Sequence, residues 1–425
     1  MNDKQKHIIQ SDPETCEVVV IGGGPAGLAC AYAAGKRKLK TVLLEKNESP
    51  GKKLLITGTG QCNITHAGSI EDFPKRFGLK EKERFVKPAL LHFTNRDLYD
   101  LFAEHGVWLT ENADGKLFPE SRKSRDVLDL LCRLCYENHV VIETKSSVVS
   151  IVKTETGFTT KTVDREFASR AVVIAAGGQS FPSTGSSGDG FRLAAELGHS
   201  ITPISPGLSP VVIKNYEFAQ CSGIAIENAG IALSKKENPT KITHKTVGDV
   251  LFTHRGMSGP GILDSSRYFS KGDVLRFNWF GNEKPEQIEK LLTESIALAG
   301  KKTLKRVISQ LETDIRLPER LIGVLLRTSE IPDEIQACYL EKPARKRLVC
   351  ELTAKEMVIE SLGNFSEAMI TCGGVALSQI NRNRMESRLV PNLYFSGEVL
   401  DIDGDTGGFN LQFAISSGIL AGNSI

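Results

Sequence analysis

Gly22, Gly24 and Gly27 sit in "VVVIGGGPAGLACAYAAGKRKLKTVLLEK", Val18 to Lys46, at the spacing G-x-G-x-x-G. An acid, Glu45, follows about 20 residues on. Each position has a chemical reason. The first glycine makes a tight turn, the second lets backbone approach a pyrophosphate, and the third lets a helix pack on a strand. The diphosphate then meets backbone N–H groups and the positive end of a helix dipole. A carboxylate at the end of the following strand accepts from both ribose hydroxyls, in charge-assisted bonds of about 1.5–3 kcal/mol each. It also disfavours a 2′-phosphate, and so NADP, at this site.

The motif alone is a weak signal; its context gives it weight. "CEVVVI" is an apolar, β-branched run, as expected of a strand buried on both faces of a parallel sheet. "PAGLACAYAAGKR" reads as a helix with Pro25 in its first turn. Its Ala26, Ala29, Ala33 and Ala34 let it lie close to a sheet. "KTVLLEK" is the next strand, completing one βαβ unit. Residues 85–139 read as mostly helical, interrupted by a hairpin whose turn is Asp114-Gly115. The segment from Val140 to Gly178 alternates like a meander of strands and ends in the buried run "AVVIAAGG". "GDGFRLAAELGHSI" returns to helix, with a glycine stop at Gly198.

The texture changes near Pro203. A β-rich segment follows, then helices from about Glu286 to about Glu356. The nucleotide-type pattern resumes near Ala368. The reading is an α/β protein with a two-part, Rossmann-like dinucleotide domain, residues 1–205 and 367–425. A β-barrel-like and helical insertion, residues 206–366, divides it and caps the substrate.

Three stretches favour FAD over NAD. "AVVIAAGG" ends a strand in small residues, as where chain returns beneath a dinucleotide. "SGEVLDIDGDTGGFNLQFAISSG" gives a strand, an acidic glycine loop and a second helix opening at Gly407-Gly408. That opening suits an anionic reduced flavin. "SPGKKLLITGTGQCNITH" supplies turn residues and donors directly after the ribose acid.

With these stretches in view, the chain resembles the bacterial BaiN/RdsA family of NAD(P)/FAD-dependent oxidoreductases nearly end to end. "GKKLLITGTGQCNIT", "GDVLFTHRGMSGPGIL", "TCGGVAL" and "GEVLDIDGDTGGFNLQFAISSG" carry the likeness. The resemblance implies that Gly22, Gly24, Ala26 and Gly27 hold the pyrophosphate and that Glu45 and Lys46 hold the adenosine ribose. It implies that Lys53, Gly60, Cys62 and Asn63 run along the cofactor, and that Val148 meets adenine through its backbone. Ala176 and Gly177 match the returning strand, and Glu398, Asp403, Gly408, Phe409, Asn410 and Leu411 the ring and ribityl end. Gln61 departs from the pattern: many relatives carry Arg there, in "GRCN", so an anion-binding role at that point is lost.

The resemblance also implies hydride transfer between flavin N5 and a small organic molecule. The reaction is reduction of a conjugated C=C or oxidation of an amine or alcohol, with the substrate between the FAD domain and the insertion. A second G-x-G-x-x-G after a strand is absent from the sequence, so the donor is either a transiently docking NAD(P)H or a different reductant. No catalytic residue is assigned. His254 lies in an insertion loop, but a lone histidine is more often structural. Cys62 has no partner cysteine, which favours packing over redox chemistry.

A net charge of +2 gives no dominant field and argues against a nucleic-acid partner. The alternatives are a flavin-dependent tRNA modifier and a non-catalytic FAD-binding protein. Basic residues between Glu283 and Arg347 interleave with acids, as on a solvated helical surface. Nine scattered cysteines and a polar lead at residues 1–15 are expected of a cytoplasmic protein with reduced thiols. Cys132 and Cys135 form a CxxC, but the leucines around them have helical spacing and no second CxxC or histidine pair accompanies them. A packing role is expected, and no metal site.

Overall fold

The computed structural model describes residues 13–425, so nearly all of the polar lead falls outside the described residues. The chain divides into two compact units. One runs to Ser205 and resumes over Ile370–Ile425; the other is Pro206–Met369.

In the first unit the elements that matter are, in chain order, β1 (Glu14–Ile21), α1 (Pro25–Lys36), β2 (Thr41–Leu44) and α2 (Lys80–His92). They continue with β3 (Val141–Glu143), β4 (Val148–Lys153), β5 (Phe158–Thr162), β6 (Glu166–Ile174), α3 (Asp189–Glu196), β7 (Leu393–Phe395) and α4 (Phe409–Ser424). The parallel order is β3-β2-β1-β6-β7, with Val18 of β1 opposite Thr41 on one side and Ala171 on the other. Val18, Val19 and Val20 are buried, with strands flanking β1 on both edges and α1 packed against it.

The meander begins one strand later than its sequence suggests. Val141–Glu143 pairs parallel with β2, and only β4, β5 and β6 run antiparallel in succession. Periodicity identifies a strand without naming its neighbour. The expected hairpin forms over Leu109–Glu111 and Lys116–Pro119. Cys132 and Cys135 lie in a helix over Ser124–Glu137, and burial pushes the Cys132 thiol up to about 11.

The alanines of α1 serve a helix as well as the sheet. A Cβ built on Gly418 of α4 would lie 2.3 Å from the Ala26 carbonyl, and one on Gly422 would lie 2.5 Å from that of Cys30. Small residues on both helices therefore permit a backbone-to-backbone approach.

The second unit is a closed six-stranded barrel. Its order is Val211–Ile213, Gly256–Ser258, Asn238–Phe252, Ala225–Lys235, Val274–Asn278 and Lys355–Leu362. Four helices, Pro285–Leu298, Leu304–Ser309, Glu319–Thr328 and Lys342–Thr353, separate the last two strands. The sequence reading carries helix to about Glu356. The structure ends it at Thr353 and turns Lys355–Leu362 into the closing strand, with Lys355, Met357 and Ile359 buried on alternate positions.

Candidate flavin site

β1 runs out at Gly22, and α1 opens at Gly24 with φ −78° and ψ 178°, values open to any residue. A Cβ on Gly24 would meet nothing within 4 Å, whereas one on Gly27 would lie 1.9 Å from the Gly22 carbonyl oxygen. Gly27 thus lets helix and strand close together, and Gly24 keeps a space clear. α1 has no side-chain cap and no acid in its first turn. Its orphan N–H groups and dipole are left for an outside anion. That arrangement fits a diphosphate.

Glu45 is buried and already engaged. Its Oε2 accepts from the Gly23 N–H at 2.8 Å, and its Oε1 accepts from the Asn47 N–H and Nδ2 at 2.8 and 2.7 Å. A carboxylate has about four acceptor directions. These three bonds leave room for one further donor, not for the two ribose hydroxyls expected. Lys46 turns instead to Asp189 at the start of α3, with Nζ 2.5 Å from its Oδ2, and to Ser187 at 2.6 Å. Burial would raise the Asp189 carboxyl, but the bonds from Lys46 and Ser187 outweigh it and hold it below the usual range. Val148 begins β4, with its carbonyl 3.5 Å from Arg192. Ala176 and Gly177 follow β6, as the returning strand requires.

The segment after Lys53 has an unusual backbone. Thr59 and Cys62 have φ of 53° and 59°, beside left-handed Gly58 and Gly60. Non-glycine residues held there cost about 1–3 kcal/mol each and are retained chiefly near functional sites. Cys62 is buried, which pushes its thiol up to about 12; it is a packing group at neutral pH.

Residues far apart in sequence are brought together beyond this segment. Lys53 Nζ lies 2.8 Å from Glu398 Oε2, while Glu398 Oε1 accepts from the Thr371 N–H at 2.8 Å. Asn63, with its amide turned to satisfy both ends, donates to the Thr65 and Leu117 carbonyls and accepts from the Gly408 N–H at 3.1 Å. Gly408 caps α4 with φ 92° and no side-chain cap. Asn410 staples the acidic loop by accepting from the Gly404 N–H at 2.8 Å and donating to the Gly404 carbonyl at 2.9 Å. Phe409 stacks on His66, with ring centroids 5.3 Å apart, and Leu411 is half-buried.

Asp403 is tied to the protein itself. Lys82 of α2 pairs with both Asp403 and Asp401, the latter at 2.8 Å. Burial works against the Lys82 ammonium, but the two carboxylates prevail and raise it above the usual lysine value. Sequence reasoning missed Lys82, His66, Thr371 and the buried Gln412, which accepts from Thr65 at 2.6 Å. Nothing in their spacing marks them: Lys82 meets Asp401 and Asp403, Gln412 meets Thr65 and His66 meets Phe409 across more than 300 residues, and Thr371 meets Glu398 in a separate element. His254 belongs to the barrel unit, where it is exposed between two strands.

Comparison with known proteins adds the family. The model of the HI0933-like protein Rossmann domain matches residues 16–424. The chain belongs to the HI0933-like family. A ribosomal RNA dihydrouridine synthase of Escherichia coli (strain K12) is 32% identical over 95% of this chain and 96% of its own length. A 3-dehydro-bile acid delta(4,6)-reductase of Clostridium scindens is 28% identical over 95% of this chain and 98% of its own. Among solved structures, an E. coli quinol fumarate reductase FrdA variant covers 97% of this chain, which spans 70% of it. Its TM-score of 0.50 at 14% identity shows likeness of fold. This HI0933-like chain is therefore an FAD-dependent oxidoreductase, as the sequence resemblance implied. Among its described residues no helix is long and apolar enough to cross a membrane.

Proposed function

We propose that this flavoprotein reduces a carbon–carbon double bond conjugated to a carbonyl, and that its substrate is a uracil base in RNA. One observation carries the reading. Two relatives aligned almost end to end are named for acting on different skeletons, ribosomal RNA and a bile acid, yet both names denote hydrogen added across a double bond. Reduction is thus favoured over amine or alcohol oxidation. RNA is favoured over a steroid skeleton by the higher identity, 32% against 28%. The net charge of +2 averages over the surface and does not describe any one face.

A bound FAD supplies hydride at N5. The residues proposed to hold it are Gly24 and Glu45 at the pyrophosphate and ribose, with Lys53, Asn63, Glu398 and the opening of α4 toward the ring. The start of α4 favours negative charge through its dipole. His66 accepts the Gly68 N–H at Nδ1, so its own proton sits on Nε2, directed at the Asp114 carbonyl 3.0 Å away. Both nitrogens are committed, and the ring serves as a platform for Phe409. NAD(P)H is the proposed donor, docking transiently.

The test is anaerobic. Photoreduced enzyme is mixed with a uridine-containing ribosomal RNA fragment, and the digest is analysed by mass spectrometry. Flavin reoxidation matched by nucleosides carrying two more hydrogens is the expected result. Reoxidation by a small enone but not by RNA overturns the substrate and keeps the reaction class. Reoxidation by neither overturns both. Stopped-flow reduction with NADH and NADPH separately tests the donor.

A further inference from the structure

We propose that a surface pocket between α2 and the segment 377–388 binds phosphate groups of the RNA backbone; the choice of RNA rests on the reading above. The pocket has a volume of about 660 Å³, and Arg84, Arg382 and Arg388 line it, with Asn383 beside them and Glu81 as the one acid of the lining. All three arginines are exposed. Among the described residues, none of the three makes an ion pair. Arg382 gives one N–H to the Arg84 carbonyl at 3.2 Å, and Arg388 gives its Nε–H to the Ile380 carbonyl at 3.2 Å. These bonds orient the side chains and leave most of their donors unused. A guanidinium presents five N–H groups in a planar fork that matches phosphate. The neighbouring Arg384 is not part of the group: it pairs with Glu386 and donates to the Ser424 carbonyl.

A second observation selects a chain of phosphates over a single one. Lys80, Arg84 and Lys87 are spaced i, i+4, i+7 on α2 and are all exposed, so they share one helical face. That row spans about 10 Å along the helix, with Arg84 of the pocket inside it, longer than one phosphate requires. Two carboxylates of the helix lie near it: Glu81 borders the pocket, and Glu83 stands three residues after Lys80 and four before Lys87, while α2 commits Lys82 to Asp401 and Asp403. The same helix thus offers its outer cations to solvent and its inner one to the acidic loop next to the flavin site. The sequence signal is "NRNRMESR", residues 381–388, a short arginine-rich run of the kind that marks nucleic-acid patches.

The probe is a fluorescein-labelled oligouridylate of 20 nucleotides, titrated against holoenzyme at several salt concentrations. The variant combines R84Q, R382Q and R388Q. Its Kd should rise tenfold or more near physiological salt, and the slope of log K against log salt should fall by about 2, from three single-strand contacts at about 0.7 each. FAD content and melting temperature should match wild type, and R125Q, outside the pocket, should leave binding unchanged. The single variants R382Q and R388Q, with partial losses, guard against misfolding of the triple variant. Unaltered RNA affinity in the variants, or no RNA binding by wild type, overturns the proposal. So does intact RNA binding with slowed reduction by NADPH, which would give the pocket to the dinucleotide. Lost affinity in the variant, with no uracil reduction by wild type, would sink the catalytic reading and leave this site standing.

Discussion

Gly24 and Gly27 separate two demands that one motif merges. Gly24 has ordinary dihedral angles and open space where a Cβ would go, while Gly27 has a carbonyl there. Gly24→Val should therefore fold, at a cost of about 1 kcal/mol for a poorer helix cap, and yet purify colourless. Gly27→Val should lose the fold with the colour. Absorbance and circular dichroism on both proteins check this, and a yellow Gly24→Val protein would refute the pyrophosphate assignment. Lys53 and Glu398 form the pair to test next. With each side chain 22% exposed, Lys53→Met should cost about 1–3 kcal/mol. A double-mutant cycle with Glu398→Gln should show coupling, since the two are in contact. The glycines and Glu45 were legible because the motif is local. The bonds Glu45 makes to Asn47 and Gly23, and the link from Lys53 to Glu398, were not, since side-chain direction and long-range closure leave no trace in spacing.

Among elements, α1 and α4 are locked together by the glycine contact, so the spacing of the two helix openings in the proposed site depends on it. Gly418→Val places branched carbon atoms against the Ala26 carbonyl and should destabilise by about 3 kcal/mol or more, by overpacking. The denaturation midpoint and the FAD affinity should fall together. His199, after α3, reports on acid. Ser387 Oγ accepts the Leu389 and Val390 N–H groups, so its hydroxyl donates to His199 Nε2 at 2.8 Å, and that nitrogen must stay unprotonated. Burial lowers the His199 pKa, against a smaller opposite effect from the Ala194 carbonyl. The neutral form is therefore favoured on folding. Its stabilisation is present above the unfolded value of about 6.5 and is lost as pH falls through the folded one. Melting temperature should drop more steeply below pH 6.5 in wild type than in His199→Gln. The sequence showed these helices and most strands by their period. Lys355–Leu362 escaped because its alternation follows directly on a helix, and Val141–Glu143 because a strand's partner is a tertiary property.

At the scale of the molecule, each unit has its own hydrophobic core, with clusters confined to one side or the other of the boundaries at Ser205 and Ile370. Ligand binding to one unit should stabilise that unit. FAD added to apoprotein at a hundred times its Kd should contribute about 2.7 kcal/mol to the unit built on β1 and α4. Calorimetry with and without FAD should move the transition that loses flavin fluorescence. The change of texture near Pro203 and the return near Ala368 were visible in composition. Closure of the barrel was not, because it joins Val211–Ile213 to a strand far along the chain.

The pairing of β6 with β7 has a temporal consequence. β6 ends at Ile174 and β7 begins at Leu393, so on the ribosome the first strand waits for roughly 220 residues, or about 10–40 s at ordinary elongation rates. Throughout that interval the Val172–Ile174 end of β6 lacks its β7 partner, and α4, the helix of the second opening in the proposed site, does not yet exist. With the coenzyme in the proposed site, its capture is a late event, after translation has passed the whole barrel. A cell short of riboflavin should accumulate this chain as finished, empty protein rather than as stalled fragments.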